Sequence, residues 1–393
     1  MKLIPDEIKE EIGRHVMKVK DQMMSMGIDG LLVGYNSNVY YLTGRFFRGY
    51  VYLSVSFDPI WFVIKPDSFE KEGNVVSIRK PEEIPGILNE RNMPFPQNFG
   101  LELDSLSYSE ITRLSRLFPD ARLQNGSEAL RRARMAKTDW EIDLMKIDGH
   151  KQATVYGQVN ECYRKGMTDL ELQIEIERRL RLAGALGFTR TAGNLMEINM
   201  GSLIAGENAD TPSPYDFTMG GEGTDPSLPG GANGKPIHEG ETVMVDMSGA
   251  FNAYQTDMTR VWKLGEISQL AKKAHDCSIE ILRALEMFVK PGVKISDVYE
   301  LAMGIVEAEG LEKYFMGHAS QVSFIGHGVG IELNEPPVIM KKSRDTAEKN
   351  MTLAIEPKFV IPGVGAVGVE NTYRITDNGL ENLTVFPEGI RDL

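Results

Sequence analysis

A strand pattern that occurs twice constrains the fold of this 393-residue chain more than any other feature of its sequence. Two pairs of segments match: ETVMVD (241–246) with MTLAIE (351–356), and TDMT (256–259) with VENT (369–372). The first pair ends on a carboxylate, and in the second a carboxylate precedes a threonine by two positions. Such an internal repeat predicts two similar α/β halves packed with pseudo-twofold symmetry. That symmetry would bring four carboxylates to one centre: Asp246, Asp257, Glu356 and Glu370.

Helix signals are repeated around these strands. The capping boxes Thr138–Glu141 and Thr168–Glu171 predict helices that end at Gly166 and Gly184. A second helix pair is predicted to run from near Ser268 to Pro291, and from a cap at Ser296 and Asp297 to Gly310. We therefore expect each pair of strands to be preceded by a pair of helices.

The first ~125 residues alternate between strand and helix patterns, which favours a small α/β domain. GLLVG (30–34) and IWFVI (60–64) are predicted strands. Turn residues in 123–130 place the boundary there. We predict an α/β (α+β) chain with two domains, residues 1–128 and 129–393, as its length also favours.

The net charge of -13 argues against a nucleic-acid surface and against binding to anionic membranes. No apolar segment approaches the ~20 residues that cross a bilayer, and the N-terminal segment does not resemble a signal peptide. Cys162 and Cys277 lie in helical patterns and are predicted to be reduced. These features predict a cytoplasmic protein.

Four convergent carboxylates repel one another strongly in a protein interior. Two divalent cations would remove that repulsion, because carboxylates can bridge a pair of ions. His327, in IGHGVGIELNEPP, is the candidate nitrogen ligand, since its flanking glycines let the backbone approach closely. Oxygen-rich ligation with one imidazole favours manganese, cobalt or iron, and zinc is also compatible.

Four segments carry a resemblance to a known family: VDMSGAFNAYQTDMTR, GHGVGIELNEPP, AIEPKFV and VGVENT. They resemble the pita-bread-fold metallopeptidases, which include prolidase (Xaa-Pro dipeptidase), Xaa-Pro aminopeptidase and methionine aminopeptidase. The resemblance covers about residues 130–393. The preceding domain resembles the N-terminal domain of prolidase and creatinase. A pseudo-twofold pita-bread fold is therefore expected for residues 129–393, and a homodimer for the whole protein.

The resemblance implies a role for each ligand. Asp246 would bind one metal ion alone, His327 and Glu356 would bind the other, and Asp257 and Glu370 would bridge both. Glu356 would also carry a proton toward the leaving amine. Tyr254 matches a family position, although an aromatic side chain in a hairpin can equally serve packing.

The chain departs from the family pattern around the metal ligands. Ser213, Ser323 and Asn334 stand where histidines are expected, and Gly368 stands where an arginine is expected. Asn334 and Ser323 could still donate hydrogen bonds. The glycine-rich segment 214–240 offers further candidates, namely Tyr215, Asp216 and His238. The predicted catalytic residues are thus Glu356, Asn334 and Tyr254, and the predicted substrate-binding residues are Ser213, Tyr215, Ser323 and Asn334.

The sequence is compatible with three functions. The first is hydrolysis of the N-terminal bond of short peptides by an Xaa-Pro dipeptidase or aminopeptidase. The second is metal-dependent hydrolysis or elimination on a non-peptide small molecule, which the missing outer histidines allow. The third is a non-catalytic binding module, against which the complete set of metal ligands argues.

Overall fold

The computed structural model describes residues 6–66, 73–193 and 196–393. The backbone contacts divide the chain into two compact units, Met1–Arg134 and Met135–Leu393. The boundary predicted after residue 128 falls inside a helix, Ser127–Met135. The mixed α/β class and the two-part organisation expected from the sequence are confirmed.

The N-terminal unit is built on one six-stranded sheet with the order β4-β3-β2-β1-β5-β6. Its strands are β1 (Gly30–Val33), β2 (Arg48–Ser54), β3 (Ile60–Lys65), β4 (Val75–Ser77), β5 (Asn98–Leu101) and β6 (Arg122–Asn125). The pairs β1–β2 and β2–β3 are antiparallel, and the other pairs are parallel. The strands predicted from GLLVG and IWFVI are confirmed as β1 and β3.

The helices of this part are α1 (Asp6–Met26), α2 (Asn36–Thr43), α3 (Ile84–Glu90), α4 (Tyr108–Leu114) and α5 (Ser127–Met135). Glu102 holds the start of α2, because its buried carboxylate accepts hydrogen bonds from the N–H groups of Gly34 and Tyr35 and from Asn38 Nδ2. The helix ends at Gly44, whose φ of 63° is the left-handed conformation that glycine adopts without strain.

The C-terminal unit contains eleven strands among the residues that the structure describes. They are β7 (Gly201–Ala205), β8 (Thr242–Gly249), β9 (Thr256–Lys263), β10 (Phe324–Gly328), β11 (Glu335–Met340), β12 (Thr352–Ile355), β13 (Lys358–Ile361), β14 (Gly365–Gly368), β15 (Asn371–Thr376), β16 (Gly379–Asn382) and β17 (Arg391–Asp392). They form sheets with the orders β17-β9-β8-β7, β11-β10-β12-β15-β16 and β13-β14.

The sequence repeat corresponds to two antiparallel strand pairs, β8–β9 and β12–β15. The two pairs meet where β9 and β15 lie side by side. The N–H of Asp257 donates to Thr372 Oγ1 over 2.8 Å, and the N–H of Glu370 donates to the carbonyl oxygen of Thr259 over 3.3 Å. The junction of the two halves therefore lies at the carboxylates that the repeat singled out.

The helices of this unit are α6 (Asp139–Tyr156), α7 (Val159–Cys162), α8 (Asp169–Leu182), α9 (Gln269–Phe288) and α10 (Ile295–Glu309). The capping boxes at Thr138 and Thr168 are confirmed. The predicted continuous helix to Gly166 was wrong, because α6 ends at Gly157 and only the short α7 follows. The predicted cap of α10 was also wrong, since Lys294 is the N-cap and makes no side-chain capping bond.

The C-terminal unit contains two apolar cores, and strand alternation decides which side chains enter each of them. Val243 and Val245 of β8 pack in one core with α8, whereas Met244 packs in the other. Because alternate residues of a strand point to opposite faces, Asp246 lies on the face of Met244. Among the described residues, none of the helices is long and apolar enough to span a lipid bilayer.

Arg260 connects β9 by hydrogen bonds to the backbone of the segments that precede and follow β15. Its side chain is buried, and its guanidinium donates to the carbonyl oxygens of Glu370, Thr384, Phe386 and Pro387. The same group donates to Asn371 Oδ1 over 2.7 Å. Arg260 is thus the main polar bridge between the first strand pair and the chain around Glu370.

We expect Arg260→Met to lower the free energy of unfolding by at least about 3 kcal/mol, because it leaves several buried acceptors without a donor. The measurement is the urea midpoint of the full-length protein. Arg178→Met is the matched control, since Arg178 is largely exposed in α8 and forms an ion pair with Glu175. It should change stability by less than about 0.5 kcal/mol. Equal effects of the two variants would contradict this role of Arg260.

Candidate metal centre

The five predicted metal ligands come from five places in the C-terminal unit and surround one point. Their ligand atoms form two overlapping groups, Asp257–His327–Glu370 and Asp246–Glu356–Glu370, and within each group the atoms lie within 4.8 Å of one another. Two local details differ from the sequence interpretation. Asp246 lies inside β8 and not at its end, because the pairing with β9 continues to Gly249. Glu370 lies between β14 and β15, because part of PGVGAVG is itself a strand.

His327 presents one ring nitrogen to the carboxylates. Nε2 lies 3.7 Å from Glu356 Oε1 and 4.0 Å from Asp257 Oδ2. Nδ1 lies 3.0 Å from the carbonyl oxygen of Gly328. A proton on Nδ1 would donate to that carbonyl and leave the lone pair of Nε2 directed at the group, which is the arrangement a metal-binding imidazole needs.

Asp257 and Glu370 are buried carboxylates whose charge is incompletely compensated. Burial raises the pKa of Asp257 well above its ordinary value, and the charge of Asp246 raises it further. Burial likewise raises the pKa of Glu370, with a further contribution from Asp257. Glu370 Oε2 accepts from Thr259 Oγ1 over 2.6 Å, whereas Oε1 is buried and has no hydrogen-bond partner among the described residues. An oxygen in this state fits coordination to a cation, so the Asp257–His327–Glu370 group is suited to a divalent ion.

The second group contains a cation of its own, the ammonium of Lys358. Its Nζ lies 2.8 Å from Asp246 Oδ2, 2.8 Å from Glu356 Oε2 and 2.9 Å from Glu370 Oε2. Burial disfavours the charged form, but these three carboxylates outweigh it and raise the pKa of Lys358 well above its ordinary value. With Lys358 in this place, the Asp246–Glu356–Glu370 group does not fit a metal ion. The expectation of two ions therefore disagrees with the side-chain arrangement.

Lys358 was not among the residues predicted from the sequence, although the segment AIEPKFV indicates its position. Residues two apart in an extended segment point to the same face, so a lysine two positions after Glu356 is aimed at the same centre. Thr218 was missed as well. Its Oγ1 donates to Glu356 Oε2 over 2.8 Å and accepts from Lys358 Nζ over 3.2 Å. Thr218 lies in the 214–240 segment, from which only Tyr215, Asp216 and His238 were named as candidates.

A cavity of about 310 Å³ opens beside the two groups. Asp246, Asp257, His327 and Glu356 form part of its wall, together with Asp216. Its apolar lining comes from Met196, Ile198, Phe217, Met219, Phe324, Leu333 and Val338. A small ligand in this cavity would contact an acidic wall on one side and apolar side chains on the other.

Asn334 lines this cavity, but both ends of its amide are engaged. Its Oδ1 accepts from the N–H of Ala192 over 2.7 Å, and its Nδ2 donates to the carbonyl oxygen of Ala192 over 2.8 Å. The side chain therefore fastens the 190–193 segment to the cavity wall. This arrangement supports a positioning role for Asn334 and leaves its predicted hydrogen bond to substrate as a prediction.

The other predicted outer residues lie away from the acidic wall. Ser213 and Tyr215 line a smaller neighbouring cavity, where Ser213 Oγ donates to the carbonyl oxygen of Pro229 and Tyr215 donates to Glu197. Ser323 is exposed just before β10. Tyr254 is buried, and the centre of its ring lies 5.9 Å from that of Trp140 in an edge-to-face arrangement. None of these four lines the larger cavity in the described part of the chain, and His238 is exposed.

An arginine was expected at position 368, but the backbone conformation and packing there require glycine. The φ of Gly368 is 137°, and a Cβ there would lie 2.6 Å from the carbonyl oxygen of Pro357 and 2.9 Å from Cα of Lys358. Its N–H donates to Nδ1 of His275 over 3.2 Å. A side chain at 368 would therefore push β13 and β14 apart at the position of Lys358.

Comparisons with known proteins agree with this architecture. The sequence model of metallopeptidase family M24 matches residues 143–377, and the model of the creatinase/prolidase N-terminal domain matches residues 16–136. An uncharacterized peptidase of Bacillus subtilis, YqhT, is 26% identical over 380 residues, covering 94% of this chain and 98% of its own. An Xaa-Pro dipeptidase of Pyrococcus horikoshii is 24% identical over 373 residues, covering 94% and 96%.

A solved structure of an Xaa-Pro dipeptidase from Bacillus anthracis superimposes with a TM-score of 0.80 at 23% identity, covering 97% of this chain and 100% of the other. At that identity the similarity establishes the fold. Residues 143–377 make up more than half of the chain, and the five predicted ligands all lie among them.

We expect Thr259→Val to weaken the binding of Mn²⁺, used as probe ion, by roughly 10- to 100-fold, because it removes the hydrogen bond that orients Glu370. Thr259→Ser should retain most of the affinity. Titration calorimetry on the metal-free protein measures the effect. Thr242→Val is the matched control, since Thr242 is also buried but donates to Val364. Unchanged affinity in Thr259→Val would show that this hydrogen bond does not support a metal ligand.

Proposed function

Because the chain belongs to metallopeptidase family M24, we propose that it hydrolyses the N-terminal peptide bond of short peptides whose second residue is proline. The convergence of Asp257, His327 and Glu370 beside one cavity, with a buried carboxylate oxygen left for a cation, carries this proposal. The relatives named Xaa-Pro dipeptidase support the choice of substrate.

The residues that would hold the metal ion are Asp257, His327 and Glu370. Their oxygen-rich donor set with one imidazole suits manganese, cobalt or iron, and zinc is also compatible with it. A divalent ion bound there would polarise the scissile carbonyl group and activate water for attack.

Glu356 is the residue that we propose to carry the proton. It is buried and lines the cavity, and its Oε2 is fixed by Thr218 and Lys358. Its Oε1 faces His327 at 3.7 Å. A carboxylate held in one orientation beside the reacting group can accept a proton from water and pass it to the leaving amine.

The cavity is compatible with a short peptide. Its volume of about 310 Å³ suits a small ligand. The acidic wall, with Asp216 and Asp246 on it, favours the positive charge of a free α-amino group. Apolar side chains such as Phe217 and Leu333 can cover a pyrrolidine ring.

The lining favours an aminopeptidase over a strict dipeptidase. Of the described residues that line the cavity, His327 is the one basic side chain. A free dipeptide would bring its carboxylate close to the acidic wall without an arginine or lysine from this lining to pair with it. Burial of an unpaired charge is costly, so a substrate whose chain continues past proline is preferred.

We further propose a cytoplasmic homodimer that binds neither nucleic acid nor membranes. The net charge of -13 supports the absence of such polyanionic partners. Cys162 and Cys277 are buried free thiols, as is usual in a reducing compartment. The dimer rests on the family resemblance.

We expect Ala-Pro-Ala and the amide Ala-Pro-NH₂ to be cleaved with a kcat/KM at least about tenfold above that of free Ala-Pro, since the two substrates avoid an unpaired carboxylate. Ala-Ala-Ala is the control for the proline requirement and should be a poor substrate. Product analysis of the metal-loaded protein gives the rates. If the protein with bound metal cleaves none of these peptides, the peptidase proposal is refuted.

Chelation should abolish hydrolysis, and added Mn²⁺ or Co²⁺ should restore it. His327→Ala should lose activity in the presence of either ion, because the one nitrogen ligand is removed. His238→Ala is the matched control, since His238 is exposed, and it should keep the wild-type rate. Full activity of His327→Ala would exclude this histidine from the metal site.

A further inference from the structure

Lys358 Nζ occupies the centre of the Asp246–Glu356–Glu370 group. One oxygen of each of the three carboxylates lies within 2.9 Å of it, and Thr218 Oγ1 lies at 3.2 Å. The lysine side chain has no solvent exposure. Three carboxylates around a single ammonium form a built cation site, filled by a group of the chain itself.

This ammonium and a metal ion would compete for the same oxygen atoms. Carboxylate oxygens lie roughly 2.0–2.6 Å from a bound divalent ion, so an ion in this group would need the space that Nζ occupies. Two positive charges at such a distance also repel each other strongly in a buried site. A metal ion can therefore enter the group only if Lys358 leaves it.

The surroundings of Lys358 oppose its departure. Its backbone is held in β13, where its carbonyl oxygen accepts from the N–H of Met316 over 2.8 Å. Its cross-strand partner is Gly368, and the missing Cβ of that glycine leaves the space in which Cα and Cγ of Lys358 lie. Moving the ammonium out would break its contacts with three carboxylates and leave their charges without this partner, which is costly in a buried site.

We propose that Lys358 replaces one of the two metal ions of the expected centre, so that the protein binds a single divalent ion in the Asp257–His327–Glu370 group. The inference depends on the metal requirement of the proposed function and is independent of its peptide substrate. Lys358 is a positioning residue: its N–H groups orient Asp246, Glu356 and Glu370. An ammonium has no coordination position for a substrate oxygen, so one ion alone acts as Lewis acid.

The metal content of the wild-type protein tests this directly. Metal-free full-length protein is dialysed against Mn²⁺, and the bound manganese is counted per chain by mass spectrometry. Crystals of the same sample give its position from anomalous scattering. We expect one ion per chain, between Asp257, His327 and Glu370, with Lys358 still among its three carboxylates. Two ions per chain, or one ion in the Asp246–Glu356–Glu370 group, would overturn the proposal.

The variant Lys358→Met removes the ammonium but keeps a side chain of similar length. We expect its manganese content to rise from one ion per chain to two. Lys137→Met is the matched control: Lys137 is a second buried lysine, paired with Glu335 outside this group, and its removal should leave the content at one. A content of one ion in folded Lys358→Met would contradict the exclusion of metal by lysine. If this variant does not fold, the wild-type count and anomalous map still decide.

The outcomes separate this inference from the peptidase proposal. One bound ion without cleavage of any peptide would refute the substrate and leave the role of Lys358 standing. Two bound ions with cleavage of Xaa-Pro peptides would refute the role of Lys358 alone. A protein that binds no ion would refute both.

Discussion

The mutual repulsion of four carboxylates around one point is the constraint on which the C-terminal unit depends. Asp246, Asp257, Glu356 and Glu370 come from two strand pairs that the sequence repeat had already related to each other. Apolar cores on either side hold these strands, so the carboxylates cannot move apart to lower their repulsion. Positive charge must therefore be supplied at the centre. Lys358 supplies part of it, and the Asp257–His327–Glu370 group is suited to a divalent ion that would supply the rest.

Much of this arrangement could be predicted because it follows from local patterns. The repeat located both strand pairs, the capping boxes at Thr138 and Thr168 marked real helix starts, and the five residues predicted as metal ligands lie together in the structure. Contacts between segments distant in sequence could not be predicted from local patterns. The hydrogen bonds of Asn334 to Ala192 depend on where the 190–193 segment lies, which no pattern of residues around Asn334 indicates.

Gly368 and Lys358 illustrate how one departure from a family pattern can be linked to another. Gly368 stands where the family pattern predicts an arginine. In the structure the two residues are cross-strand partners, and the space left by the missing side chain at 368 is the space that the lysine backbone and stem occupy. The cationic group expected on one strand is thus absent, and a different cation stands on its neighbour. Periodicity along a single segment could not reveal this relation, because it exists only across the β13–β14 pair.

The burial of Lys358 has a consequence for how the protein depends on its surroundings. A metal ion is taken up after synthesis, and its identity follows the supply in the cell. An ammonium on the polypeptide is present as soon as the chain folds, and no competing ion can be exchanged for it. The positive charge of Lys358 at this centre is therefore independent of the metal supply and cannot be replaced by a wrong metal ion. A shortage of transition metals would lower the metal occupancy of the Asp257–His327–Glu370 group alone.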